Sequence, residues 1–332
     1  MAYRLKWGEP LPHAVRRIAV EEIESAESEL SGKTESSRDE AVHEARKSIK
    51  KVRALLRLVR REFGACFDFE NAALRKTSRK LSELRDQVAA IEIFDHLTAR
   101  YPHKLSAKTA DSVRQELLRL KRAQAHGGDM AKLLQKLAGQ LQNAGSRVNR
   151  WPLETDGFAA IKDGLGSGFR KGRLAFERVQ DSGQPEDYHE WRKRVKDHMY
   201  HMRLIEDLWN DMIKAREKSL HELETWLGDF QNLVVLREKI IAEPDSFATP
   251  KGVERLLDLI DEYQKELRDN SISLGERIYE QENRRQFVKR MKQIWISWEH
   301  QPDSLRKEHK REIKTNRKQA GPRKAARASH SR

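Results

Sequence analysis

Two eight-residue segments of the chain carry nearly the same unusual chemistry. His43-Glu44-Ala45-Arg46-Lys47-Ser48-Ile49-Lys50 returns, 146 residues further on, as His189-Glu190-Trp191-Arg192-Lys193-Arg194-Val195-Lys196. Both read His-Glu-x-Arg-Lys-x-(Ile/Val)-Lys. The echo continues without a gap, placing Leu81-Ser82-Glu83-Leu84-Arg85-Asp86 opposite Leu227-Gly228-Asp229-Phe230-Gln231-Asn232. Two basic segments in matching places point to a duplicated chain that grips something highly anionic.

On an α-helix, at roughly 100° per residue, the charges fall into stripes. With His43 at zero, Arg46, Lys50, Arg53 and Arg57 lie within an arc of roughly 80°. Val42, Ile49, Val52, Leu55, Leu56 and Val59 lie opposite and form a packing face. Lys47 borders the stripe and Lys51 points away. The second copy repeats the arc with His189, Arg192, Lys196 and Arg203, and Lys193 stands where Lys47 does. Its packing face is Tyr188, Trp191, Val195, Met202 and Ile205. Met199 replaces the cation at Arg53, so the second stripe is the weaker one; Asp197 replaces Lys51, off the stripe.

Like charges three or four residues apart destabilise a helix by a few tenths of a kcal/mol per pair. Arg46–Lys50, Lys50–Arg53 and Arg53–Arg57 are all such pairs, and Glu44 is the only acid between His43 and Arg61. An anion would relieve this repulsion. Most charge runs are merely solvated helix faces; the recurrence in register argues against that here. A third segment adds Arg75 and Arg79, four apart, with Lys76 and Lys80 beside them. Its second copy has His221, Glu222, Thr225 and Trp226 instead, with cations at Lys214, Arg216 and Lys218. Arg170, Lys171 and Arg173 are further candidates of lower weight.

The elements that must hold these stripes are helices. No period-2 strand pattern occurs, and helical periodicity dominates, so the fold class is all-α. Pro, Gly and capping signals predict helices over about 13–31, from the Ser31-Gly32-Lys33-Thr34 turn to Phe63, from 67 to about 100 with a break near Asp86, 106–125, and on to Arg150. Trp151-Pro152 marks the boundary between the halves, 10–150 and 151–301. The second half predicts helices over about 156–180, 185–209, 211–242, 250–269 and 271–299.

Composition limits what else the chain can be. It has 332 residues, a hydrophobic fraction of 37% and a charged fraction of 36%, which suits small bundles with long solvated faces. Of the net charge of +14, the segment 302–332 supplies +8, from eleven Lys/Arg against three acids. The body therefore carries only +6, and a polyanion site there must come from clustering. The basic tail, rich in Ala, Lys, Arg and Ser, predicts disorder beyond Gly321-Pro322. The single cysteine, Cys66, allows no intrachain disulfide and reads as structural. No apolar signal core or membrane span is present, which predicts a soluble cytoplasmic protein.

No acid or thiolate cluster has metal-ligand spacing around His43 or His189, and His-Glu-x-x-His fails because Lys47 and Lys193 occupy the fifth position. A hydrogen-bonding role, orienting neighbours or contacting phosphate, fits the two histidines better, and His198 and His201, three apart, could make only half a metal site. His198, His201, Trp191, Trp209 and Trp226 read as packing residues. Gly164, Gly166 and Gly168 lack a following Gly-Lys-Ser/Thr, so they read as sites of close helix approach. With no paired-acid metal site and no activated nucleophile, the expectation is a binding protein, without cofactor and not an enzyme.

At these residues the chain resembles the CHAD family, the conserved histidine α-helical domain. The resemblance rests on the duplicated His-Glu-x-Arg-Lys-x-(Ile/Val)-Lys, on Leu84-Arg85-Asp86 and on Leu227-Gly228-Asp229, and covers most of residues 10–300. It implies two pseudo-symmetric four-helix bundles with a basic surface between them, binding of inorganic polyphosphate, and association with polyphosphate granules. The family's basic positions carry over to Arg46, Lys50, Arg53 and Arg57 and to Arg192, Lys196 and Arg203. Met199 and Gln231-Asn232 depart from the pattern and set the halves apart. No β-rich catalytic region accompanies the helices, which matches a stand-alone member. Polyphosphate offers no bases, so a binder needs spaced Arg and Lys with forked hydrogen bonds, not an aromatic platform. The alternative is a non-specific nucleic-acid binder using the same surface and the basic tail.

Overall fold

The structure is a computed structural model and describes residues 3–126 and 130–301. The basic tail lies outside the described residues. Within them the fold is all-α, with no strand. Pro10 and Pro12 start α1 (Leu11–Leu30), where a missing N–H costs nothing. Gly32, at φ +67°, turns the chain after it. Ser37 then caps α2 (Arg38–Leu58) by accepting the Glu40 N–H, with Asp39 and Glu40 favourably placed in the first turn. The short α3 (Arg60–Phe63) ends at Gly64, and α4 (Cys66–Arg100), α5 (Ala107–His126) and α6 (Met130–Gly145) follow.

After residues 151–157 the plan restarts with α7 (Phe158–Ser182) and α8 (Pro185–Leu204). A 3-10 turn (Glu206–Leu208) and α9 (Asn210–Ala242) come next, then α10 (Pro244–Phe247), α11 (Pro250–Tyr279) and α12 (Arg284–Glu299). The starts of α1, α2, α3 and α4 recur, within two residues, as those of α7, α8, the 3-10 turn and α9 under the 146-residue shift. Helix α1 packs on α2 and α6, and α4 on α2, α5 and α6. Likewise α8 packs on α7 and α9, and α11 on α9 and α7. The two sets meet where α2 touches α8 and α7 and where α4 touches α9, and the buried apolar side chains form one connected core.

Several expectations need correcting. Helix α4 runs unbroken through Asp86, whose exposed side chain does not interrupt a turn followed by Val88-Ala89-Ala90-Ile91. The break expected near Asn270 is absent, because Ser271 is buried within α11. The chain breaks after Tyr279 instead, and Asn283 opens α12 through a capping box with Gln286. Helices α2 and α8 both stop short, at Leu58 and Leu204, each followed by a tight turn. Trp209, placed in the core by its spacing, sits in that irregular stretch and is 53% exposed. Cys66 is exposed at the start of α4, not part of the core.

Candidate anion-binding groove

The packing face of α2 is buried as its periodicity predicts, with Val42, Ile49, Val52, Leu55, Leu56 and Val59 all in the core. That fixes the rotation of the helix and turns Lys50, Arg53 and Arg57 into a groove of about 1110 Å³. Helix α3 adds Arg60 and Arg61. Helix α4 supplies Asn71, Arg75 and Ser78, α7 supplies Ser167 and Lys171, and α8 supplies Lys193, Arg194 and Lys196. Two glycines on α7 line the same wall. At Gly164 a Cβ would stand 1.8 Å from the Leu58 carbonyl oxygen, so only glycine lets α7 close against the end of α2. Ten Lys/Arg and four Asp/Glu line the groove, which leaves it strongly positive.

Some of these cations are already engaged. Arg57 bonds to Asp197 across the α2–α8 contact at 2.9 Å, Arg61 meets Asp163 at 2.6 Å, and Glu190 holds Lys193 and Arg194. Others have no carboxylate at ion-pair distance among the described residues. Arg53 donates only to the Asn71 amide oxygen, at 3.1 Å, and Lys50, Arg75 and Lys171 make no ion pair. Burial, and then the neighbouring Lys196, Arg46 and Arg192, push the Lys50 ammonium well below its ordinary value. Burial and Arg57 bring Arg53 down to about 10, and burial with Arg194 and Arg60 lowers Lys171. Partly desolvated cations crowded by other cations would be relieved by an anion placed among them.

Of the sequence-predicted residues, the structure brings Lys50, Arg53, Arg57, Arg75, Lys193 and Lys196 into the groove. Arg79 lies a turn beyond Arg75, outside the lining. Arg46 bonds to Ser82 at 3.1 Å near Asp86 and Arg192, and Lys47 pairs with Glu44 at 3.0 Å. Arg192 and Lys196 both reach Glu224, at 3.2 and 2.5 Å, and Arg203 reaches Glu217 at 2.8 Å. Burial would raise the Glu224 carboxyl, but Lys196 and Arg192 outweigh it and hold the group at about 2. His43 and His189 lie outside the groove. Burial, with Arg85 beside the first and Lys193 beside the second, lowers both imidazoles.

Arg60, Arg61, Arg194 and Ser167 were missed, and Lys171 was given low weight. Arg60 and Arg61 extend the α2 stripe past its helix end, where a periodicity argument stops. Arg194 fills the variable position of the second motif. His198 and His201 are buried: His201 bonds the Ala54 carbonyl oxygen at 3.0 Å, and His198 meets Phe169 edge-on.

An all-α chain with an internally repeated basic helix, its two copies packed together beside a cationic groove, is a narrow class of protein. A family model for the CHAD domain matches residues 18–240, about two-thirds of the sequence, and the chain belongs to the CHAD family. The match takes in both basic helices and all the elements that wall the groove. No curated protein matches the chain. No helix among the described residues is long and apolar enough to cross a membrane.

Proposed function

We propose that this chain is a non-catalytic binding module for inorganic polyphosphate, acting to target or organise polyphosphate granules in the cytoplasm. The observation that carries this reading is the groove, in which four unpaired cations, Lys50, Arg53, Arg75 and Lys171, converge from α2, α4 and α7. Rigid helices space the donors, and the ligand needs only to present charge and oxygens. Both aromatic rings in the lining are buried: Phe67 is 4% exposed and covered by the Arg60 guanidinium at 4.4 Å, and His201 is 2% exposed. Neither offers a face on which a base could stack, which favours polyphosphate over single-stranded nucleic acid. Residues 10–150 and 151–301 serve as the two jaws of the grip.

The test is a competition titration of the full chain with labelled long-chain polyphosphate against duplex DNA and short phosphates, at two salt concentrations. Polyphosphate is expected to win at physiological salt, and the Arg53→Glu/Arg75→Glu variant is expected to lose most of that affinity while keeping its helical signal. Any DNA binding left in the variant belongs outside the groove. Equal displacement of the label by DNA would reduce the site to a general polyanion surface.

A further inference from the structure

The duplication predicts a second groove. Under the 146-residue shift, each wall of the first groove maps onto a place bounded by α8, the 3-10 turn, α9, α1 and α2. Lys196, Arg203, Lys47 and Lys50 keep the charge there, but several other related positions change sign or lose it. Arg60 and Arg61 become Glu206 and Asp207, Asn71 becomes Glu217, Ser78 becomes Glu224 and Gly168 becomes Glu22. Arg53 becomes Met199, which is buried, and Arg75 becomes His221.

Each of those carboxylates is engaged. Glu217 holds Arg203, Glu224 holds Arg192 and Lys196, and Glu22 accepts from Lys51 at 2.7 Å. Glu206 and Asp207 are both bound by Arg4, at 2.9 Å each. Arg4 belongs to the chain's first described segment, which lies over this place. Tyr3 is buried, donates to the Lys51 carbonyl oxygen at 3.1 Å and meets the Tyr200 ring edge-on. The Leu5 N–H donates to the Leu204 carbonyl oxygen at 3.0 Å. Of the cations that the repeat would present, Lys196, Arg203 and Lys47 are tied into internal pairs and Lys50 faces the first groove, and the space is covered by the chain itself.

We infer that the chain grips polyphosphate on one side only, and that the related place on α8 and α9 is a sealed, charge-neutral joint. The inference rests on the polyphosphate reading of the first groove. An anion approaching the joint would meet five carboxylates and would have to displace Arg4, Arg203 and Lys51 from buried or half-buried pairs. The open groove demands no such exchange at Lys50, Arg53, Arg75 or Lys171. Arg192 and Arg203, which the family resemblance marks as ligand contacts, thereby become residues that hold α8 on α9.

Native mass spectrometry of the full chain with a short polyphosphate of defined length tests the stoichiometry, and a matched pair of charge reversals tests the side. Arg75 lies in the open groove, whereas Lys214 is exposed and stands at the position related to Asp68, which lines that groove. The expected result is one bound chain per protein, with Arg75→Glu losing about tenfold or more in affinity and Lys214→Glu changing it less than about twofold. Acetylation footprinting is expected to show Lys171 and Lys193 protected by polyphosphate and Lys214 and Lys218 unprotected. Two equivalent bound chains, or equal losses in the two variants, would overturn one-sided binding while leaving the polyphosphate reading intact. A wild-type chain that binds no polyphosphate would overturn both.

Discussion

Lys50 shows at the scale of one residue how binding and stability oppose each other in this site. It is half-buried, crowded by Lys196, Arg46 and Arg192, and has no ion-pair partner among the described residues. Its folded-state pKa lies well below its unfolded one, so in the window between them the folded chain binds fewer protons. The stability of the free protein therefore rises with pH across that window. A bound polyanion reverses the effect by raising the Lys50 pKa, so that binding takes up a proton and affinity falls as pH increases above the free-state value. Lys50→Met is expected to stabilise the free protein by on the order of 1 kcal/mol, since it removes a half-buried, uncompensated charge. The same variant is expected to bind polyphosphate more weakly and with a flatter pH dependence. Thermal unfolding and titrations at several pH values check both. A destabilised Lys50→Met variant with unchanged affinity would show that Lys50 is a packing residue.

At the scale of elements, the groove depends on how closely α7 lies against α2, and Gly164 sets that distance. Gly164→Ala places a methyl group against the Leu58 backbone, where no flexible side chain can yield. A loss of about 1–3 kcal/mol is expected, together with weaker polyphosphate binding as the α7 wall moves out. Asn283→Ala is the control. It removes a helix cap worth about 1 kcal/mol from α12, which does not line the groove, and is expected to leave affinity unchanged. Unfolding and binding curves of the two variants separate loss of stability from loss of the wall.

How much of this was legible in the sequence follows from the range of the interactions involved. The α2 stripe was legible because a helix fixes neighbours three and four residues apart, and the buried face of α2 agrees residue by residue. The weakness of the α8 stripe was legible at Met199, but its main physical cause was not. Glu217 and Glu224 neutralise Arg203, Arg192 and Lys196 from α9, and no local pattern pairs residues that far apart. The same limit hid Arg4, which acts across two hundred residues of sequence. The α11–α12 boundary was misplaced for a local reason: Asn270-Ser271 resembled a break, while Asn283 with Gln286 is the start signal the chain uses.

At the scale of the whole molecule, the groove exists only while the two halves are docked. Arg53 and Arg75 stand on one side of it, Lys171 and Lys193 on the other, and the Arg57–Asp197 pair crosses between them. One connected core and the α2–α8 and α4–α9 contacts join the halves, so heating is expected to unfold residues 3–301 in a single cooperative transition. A ligand that bridges both walls must then move the whole transition and not part of it. With free polyphosphate at about a hundred times its Kd, the expected gain is about 2.7 kcal/mol, a rise of several degrees. Arg75→Glu is expected to abolish most of that rise at the same ligand concentration. Differential scanning calorimetry would show a split transition, with only one part shifted, if the ligand held a single half. That outcome would place the site on one half of the chain and remove the need for both walls of the groove.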